Sequence, residues 1–199
     1  MTVSSGTVQA KACQIGGRAL CYALVDFVKF NVPAHPELMQ YQNDIVYASG
    51  QANIPSCLLA AIVWRESGGQ NIYQIGVPKG PGCGVGLTQI TAGVDWTNTN
   101  DPTYQGYHLM TPSDNLFVAA NYFLKGLVQS AQNAETNNLA AFQKSCRGQI
   151  VFAVACGYNA GWGAVSAAMN QGVDADTKTT NGYGADVLSK YIELVNASH

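Results

Sequence analysis

One stretch constrains the fold more than any other. Ser56 to Arg65 (SCLLAAIVWR) is apolar on nearly every face of the helix it would form, with Pro55 in its first turn and Gly68-Gly69 as its stop. A helix without a polar side must be surrounded, so the rest of the chain has to wrap it. A chain of 199 residues that is 47% hydrophobic can do this with one core. Only 11% of residues are charged, about half the usual share, and the net charge is −2. No broad basic field exists to hold a phosphate backbone, which argues against nucleic acid as a partner. Polarity comes instead from 29 Asn and Gln residues, a surface suited to neutral polymers such as sugars.

No apolar run approaches the roughly 20 residues of a membrane span. The first residues, MTVSSGTVQAKACQIGG, lack the basic start and apolar stretch of a signal peptide. Six cysteines at 13, 21, 57, 83, 146 and 156 form no CxxC pair and lie far from His35, His108 and His199, so no metal site is expected. Disulfides are the expected use, implying an oxidising compartment, with buried free thiols as the alternative. If Cys146 and Cys156 share one helix they stand roughly 15 Å apart and cannot pair with each other.

Elsewhere the pattern is mostly helical. Residues 38–52 place Leu38, Tyr41, Ile45 and Ala48 on one stripe. Between 70 and 110, glycines and prolines at 76, 78, 80, 81, 82, 84 and 86, then TNTNDPT, predict loops with at most a small β region. Thr111-Pro112-Ser113-Asp114 opens a helix to about Asn133, with Leu116, Ala120, Phe123 and Leu127 facing the core. Helical pattern resumes over 138–156 with a break near Gly148. Gly157 to Gly163 turns the chain, and helices at about 162–171 and 184–196 complete it. The expectation is a mainly α domain over 38–199, preceded by an arm, 1–37, that disulfides would tie down.

Glu66 is the candidate for chemistry. It ends the buried helix, where desolvation and the negative end of the helix dipole both raise a carboxyl pKa. A carboxylic acid that keeps its proton can protonate a leaving glycosidic oxygen. The competing reading is an exposed Glu, or one paired with Arg65. Trp64 and Trp162 could stack on sugars, but adjacent apolar residues favour packing.

Five ordered segments carry a resemblance: IPSCLLAAIVWRESGG (54–69), GVGLTQIT (84–91), NLFVAANYFLKGL (115–127), GYNAGWGAV (157–165) and YGADVLSKY (183–191). Together they resemble the goose-type lysozyme and lytic transglycosylase group, whose members cut peptidoglycan on a lysozyme-like helical fold. The resemblance implies that Glu66 is the acid. It also implies substrate-binding roles for Gly86, Leu87, Gln89, Tyr158, Asn159 and Tyr183, with Gln89 and the Gly86-Leu87 backbone walling the cleft. Tyr158 and Asn159 would orient the sugar's acetamido group. No cofactor or metal is implied.

Goose-type hydrolases add aspartates around the glutamine segment to activate water, yet residues 67–94 contain no Asp or Glu, and Asp95 is the nearest. Two enzyme readings follow. In a lytic transglycosylase Glu66 serves twice, as acid and then as base. In a hydrolase, acting on peptidoglycan or on chitin, Asp95 would activate water; chitin fits the low net charge. A third reading, from another class, is a non-catalytic glycan-binding or assembly component. The expected partner is a polysaccharide met by a monomer outside the cytoplasm, in the periplasm or the extracellular space.

Overall fold

The computed structural model describes residues 32–96 and 101–198. The central helix forms as expected. α3 (Ser56–Ser67) stops at Gly68, and every residue from Ser56 to Val63 is buried. A second helix without a polar face, α7 (Ile150–Ala160), is buried from Val151 to Gly157. These two form the centre of the molecule. α9 (Tyr183–Ala197) packs on both, α2 (Gln42–Ala52) on α3, and α5 (Lys125–Asn137) and α8 (Trp162–Gln171) on α7. Full burial of Leu58, Leu59 and Ile62 contributes about 1.5–3 kcal/mol each.

The 38–52 stripe is carried by two helices, α1 (Pro36–Met39) and α2, because the chain turns at Gln40-Tyr41. Leu38, Ile45 and Ala48 still face the core, and Tyr41 is half-buried. Packing begins before the expected boundary at 37/38. Val32 is buried in the core and the His35 ring lies 4.2 Å from that of Trp64. Residues 1–31 of the expected arm lie outside the described residues.

The described residues of the 70–110 segment are loop with one small hairpin, β1 (Thr103–Tyr104) paired antiparallel with β2 (Tyr107–His108). The next helix begins at Pro112 but is not a uniform α-helix. α4 (Pro112–Val118) continues through a π-helical segment at Ala119–Leu124 into α5. The wider π turn lengthens the period locally, so the buried stripe runs Leu116, Ala120, Leu124, Val128, Ala131. Phe123 and Leu127, expected on that stripe, are displaced to its edge and only partly buried.

The break near Gly148 separates α6 (Leu139–Ser145) from α7. α7 continues past the expected turn, so Tyr158 and Asn159 ride its last turn, and Gly161 makes the 119° bend into α8. No single helix among the described residues is long and apolar enough to cross a membrane. Cys83, Cys146 and Cys156 are buried free thiols, which corrects the disulfide expectation at these three positions. Cys146 and Cys156 lie on separate helical segments, not on one. Burial pushes the Cys146 thiol up to about 11 and raises that of Cys156 as well, so both behave as core groups. Cys57 is also buried, and Cys13 and Cys21 lie outside the described residues.

Candidate active site

Glu66 occupies the last turn of α3 at the edge of a cavity of about 310 Å³. Gln74, Gln89, Ile90, Thr91 and Ala92 line one side of that cavity, and Phe123, Tyr158 and Asn159 the other. Burial raises the Glu66 carboxyl above its ordinary value, against a hydrogen bond from Tyr183 and the charge of Arg65. The Tyr183 hydroxyl donates to Glu66 Oε1 at 2.5 Å. Arg65 does not fold back into an ion pair with Glu66. Its Nε lies 3.1 Å from Asp186 Oδ2, and Asp186 also takes Lys190 at 2.7 Å.

Tyr183 is the first residue of α9, and the start of that helix is tightly held. Asp176 accepts from the backbone N–H of Gly184 (2.8 Å) and of Ala185 (3.1 Å). Gly184 allows α9 to approach α7 closely: a Cβ there would stand 2.4 Å from Cys156 Sγ. Arg147 holds the other end of this turn through Asp174 at 3.0 Å. An acid on one core helix is thereby set against a hydroxyl on another, with little freedom in either backbone.

The opposite wall is built differently. Val85 and Ile90 exchange backbone hydrogen bonds, closing a tight loop that four side chains secure. Asn115 Oδ1 accepts from Thr88 N (3.0 Å) and Thr88 Oγ1 (2.8 Å), while its Nδ2 donates to Val85 O (2.9 Å) and Leu109 O (3.1 Å). Ser67 Oγ donates to Leu87 O at 2.7 Å, tying the loop to the residue after Glu66. Tyr158 donates to Thr88 O at 2.8 Å. Gln89 holds a left-handed φ of 51° and donates its Nε2 to Ile72 O (3.0 Å) and Gly86 O (2.7 Å).

Several expected sugar contacts are therefore committed to the protein itself. Gly86 and Leu87 are buried and do not line the cavity, which corrects the expectation that their backbone walls it. Gly86 is needed for another reason: its φ is +72° and a Cβ would stand 2.3 Å from Asn115 Nδ2. Gln89 and Tyr158 line the cavity, but the amide N–H of one and the hydroxyl of the other bind backbone carbonyls. Burial, followed by the nearby Glu66 charge, raises the Tyr158 hydroxyl well above its ordinary value. Asn159 is exposed on the rim, with Oδ1 accepting from Thr180 N (3.0 Å) and Oγ1 (3.3 Å). Tyr183 is buried and does not line the cavity, so the expected substrate contact is replaced by its hydrogen bond to Glu66.

Asp95 does not line the cavity. It is exposed, and its backbone pairs with Thr103. Among the described residues Glu66 is the one carboxylate lining the cavity. Trp64 packs between His35 and Lys190, away from the lining.

Three contributors escaped the sequence reading: Asn115, Phe123 and Asp176. Asn115 is a polar residue beside Leu116 on an otherwise buried face, and that interruption was the available signal. Asp176 and Thr179 carry the spacing of a cap on the turn before α9. Nothing in the apolar spacing marks the π segment that turns Phe123 into the cavity.

A mainly α domain with a buried acid at the tip of its central helix defines the lysozyme-like helical class. Within it the chain belongs to the family described as Transglycosylase SLT domain, which matches residues 44–181. That family carries out peptidoglycan cleavage of the lytic transglycosylase type. The match contains Glu66, the 84–91 loop and Asn159, and ends just before Tyr183. No curated protein matches the chain.

Proposed function

We propose that this chain is a lytic transglycosylase cutting the β-1,4 bond between N-acetylmuramic acid and N-acetylglucosamine, with Glu66 as both acid and base. The supporting observation is that, among the described residues, one carboxylate lines the cavity and its burial favours the protonated form. In the first step the Glu66 carboxyl gives its proton to the glycosidic oxygen. The C1–O bond breaks, the N-acetylglucosamine side leaves with a 4-hydroxyl, and the substrate's acetamido oxygen supports the positive charge at C1. The C6 hydroxyl then attacks C1 and passes its proton to the Glu66 carboxylate. A 1,6-anhydro ring forms and the acid is regenerated.

Tyr183 has its role between the two steps. Its hydroxyl donates to the carboxylate that the first step creates, where a charge-assisted bond is strongest. Asn159 Nδ2 and the Thr91 hydroxyl are the polar groups on the rim suited to the acetamido group. The substrate lies outside the cytoplasmic membrane, so the protein acts in the periplasm or the extracellular space. One chain supplies every group named, and a monomer suffices.

The pH dependence of kcat/KM tests this reading. One acid gives a single limb that falls as pH rises past the Glu66 pKa, whereas a separate Asp95 base adds a rising limb on the acid side and makes a bell. Asp95→Asn leaves the profile in place if Glu66 works alone. A bell that loses its acid limb in that variant would replace the transglycosylase with a hydrolase.

A further inference from the structure

The C-terminal turn of α3 meets the start of α9 residue against residue. Lys190 Nζ lies 5.0 Å from the centre of the Trp64 ring, Arg65 Nε 3.1 Å from Asp186 Oδ2, and Glu66 Oε1 2.5 Å from the Tyr183 hydroxyl. Numbers rise along α3 as they fall along α9. Positions 183, 186 and 190 are three and four apart, so they share one face of α9. Trp64, Arg65 and Glu66 each have a separate partner there, and two of those partners, Asp186 and Lys190, bond to each other at 2.7 Å.

Arg65 and Glu66 carry opposite charges and meet the same side chain. Arg65 Cζ stands 5.2 Å from the centre of the Tyr183 ring whose hydroxyl donates to Glu66. A guanidinium brought to the carboxylate would hold it ionised, and an ionised Glu66 has no proton to give. The charge that draws Arg65 the other way is the Asp186 carboxylate. Among the described residues the Arg65 Nε–H has no aligned acceptor, so this contact holds by charge and not by a directed hydrogen bond. Both side chains are partly exposed, 28% for Arg65 and 37% for Asp186, and a pair of that kind adds little to stability. Its consequence is the place where the positive charge sits.

We propose that Asp186 is a positioning residue acting through Arg65: by holding the guanidinium over the Tyr183 ring it prevents an ion pair at Glu66 and leaves the acid free to donate. The inference rests on the reading of Glu66 as the acid. The titratable groups that face Glu66 are Tyr183 from α9, Tyr158 from α7 and Arg65 from its own helix, and the 84–91 loop brings none. Lys190 shares Asp186 with Arg65 but stands over Trp64. His35, on Trp64 as well, pairs with Glu37 at 3.0 Å and with Glu193 at 3.2 Å. Asp186 is therefore the group that decides where the Arg65 charge lies.

Titration of the Glu66 carboxyl tests this without turnover. The chain has four glutamates, so ¹³C NMR of carboxyl-labelled glutamate in the full chain can follow each, and Glu66→Gln identifies the signal. In Asp186→Asn, and equally in Asp186→Ala, the Glu66 midpoint moves to lower pH by about one pH unit, since a nearby cation favours the charged form. Asp186→Glu keeps the charge and the wild-type midpoint. Adding Arg65→Met to Asp186→Asn removes the cation, and the midpoint returns to the wild-type value or above it. A midpoint unmoved in both charge-removing variants overturns the proposal. So does a shift that survives in the double variant, because that effect would not pass through Arg65. In turnover assays the falling limb of kcat/KM moves with the midpoint. A midpoint that falls in D186N beside an unmoved limb would overturn Glu66 as the acid and leave the role of Asp186 standing.

Discussion

The two walls of the Glu66 cavity are made by different physics. On one side α3, α7 and α9 form a block of buried apolar side chains, and the acid and Tyr183 project from helices that this packing fixes. On the other side the 84–91 loop has little regular structure and is held by the side chains of Asn115, Ser67, Tyr158 and Gln89 bonding to backbone groups. Apolar packing is tolerant, since many residues share the work. A hydrogen-bonded loop depends on a few groups, each costly to leave unpaired once buried.

Replacing the acid tests the helical side most severely. Glu66→Gln keeps the shape and can still accept from Tyr183, yet has no proton to give, so cell-wall cleavage should fall about a thousandfold while glycan binding persists. Lysis assays and pull-down on insoluble peptidoglycan read the two effects separately. Unchanged lysis in the purified variant would remove Glu66 from the chemistry.

The loop side breaks at Asn115. Asn115→Ala removes four hydrogen bonds and leaves Leu109 O and Thr88 N buried without partners, for a loss of about 3 kcal/mol in denaturant unfolding. Leu58→Ala costs a similar amount by leaving a cavity in the core. The two should differ in function: the Asn115 variant loses kcat per folded molecule because its wall relaxes, and the Leu58 variant keeps it. Equal kcat in both would show that the loop does not need its staples.

Tyr183→Phe is a smaller change, about tenfold in rate. The hydrogen bond lowers the Glu66 pKa, so its removal raises that pKa and moves the falling limb of the pH profile to higher pH. A limb that stays in place would separate Tyr183 from the proton chemistry.

The smallest effect is on stability. Burial gives folded Glu66 a pKa above the ordinary 4.5, so between the two values the folded state binds more protons than the unfolded state. Stability therefore falls as pH rises through that window and levels off above the folded pKa. Glu66→Gln escapes the penalty: its melting temperature should match the wild type near pH 4 and exceed it at pH 8. A variant no more stable at pH 8 would contradict a destabilised carboxylate.

The same contrast explains what the sequence made legible. α3 and its terminal Glu66 could be read directly, because an all-apolar run bounded by Pro55 and Gly68 has few ways to fold. The approximate limits of α8 and α9 followed from spacing in the same way. The loop region could be placed but not built. Gln89 and Tyr158 resemble sugar-binding residues in sequence, and only their hydrogen bonds to Ile72, Gly86 and Thr88 show that they support the wall. Gly86 reads as an opening for substrate and proves to be room for Asn115. The π segment escaped because one extra residue per turn leaves an apolar pattern that still looks helical.

The central claim is that one carboxylate is used twice and that water is not the nucleophile. Digestion of purified peptidoglycan in ¹⁸O-labelled water, followed by mass spectrometry of the released fragments, tests it directly. The account predicts 1,6-anhydro ends, lighter than reducing ends by one water and free of label. Reducing ends that carry ¹⁸O would contradict it, since they require a water molecule activated by a second base.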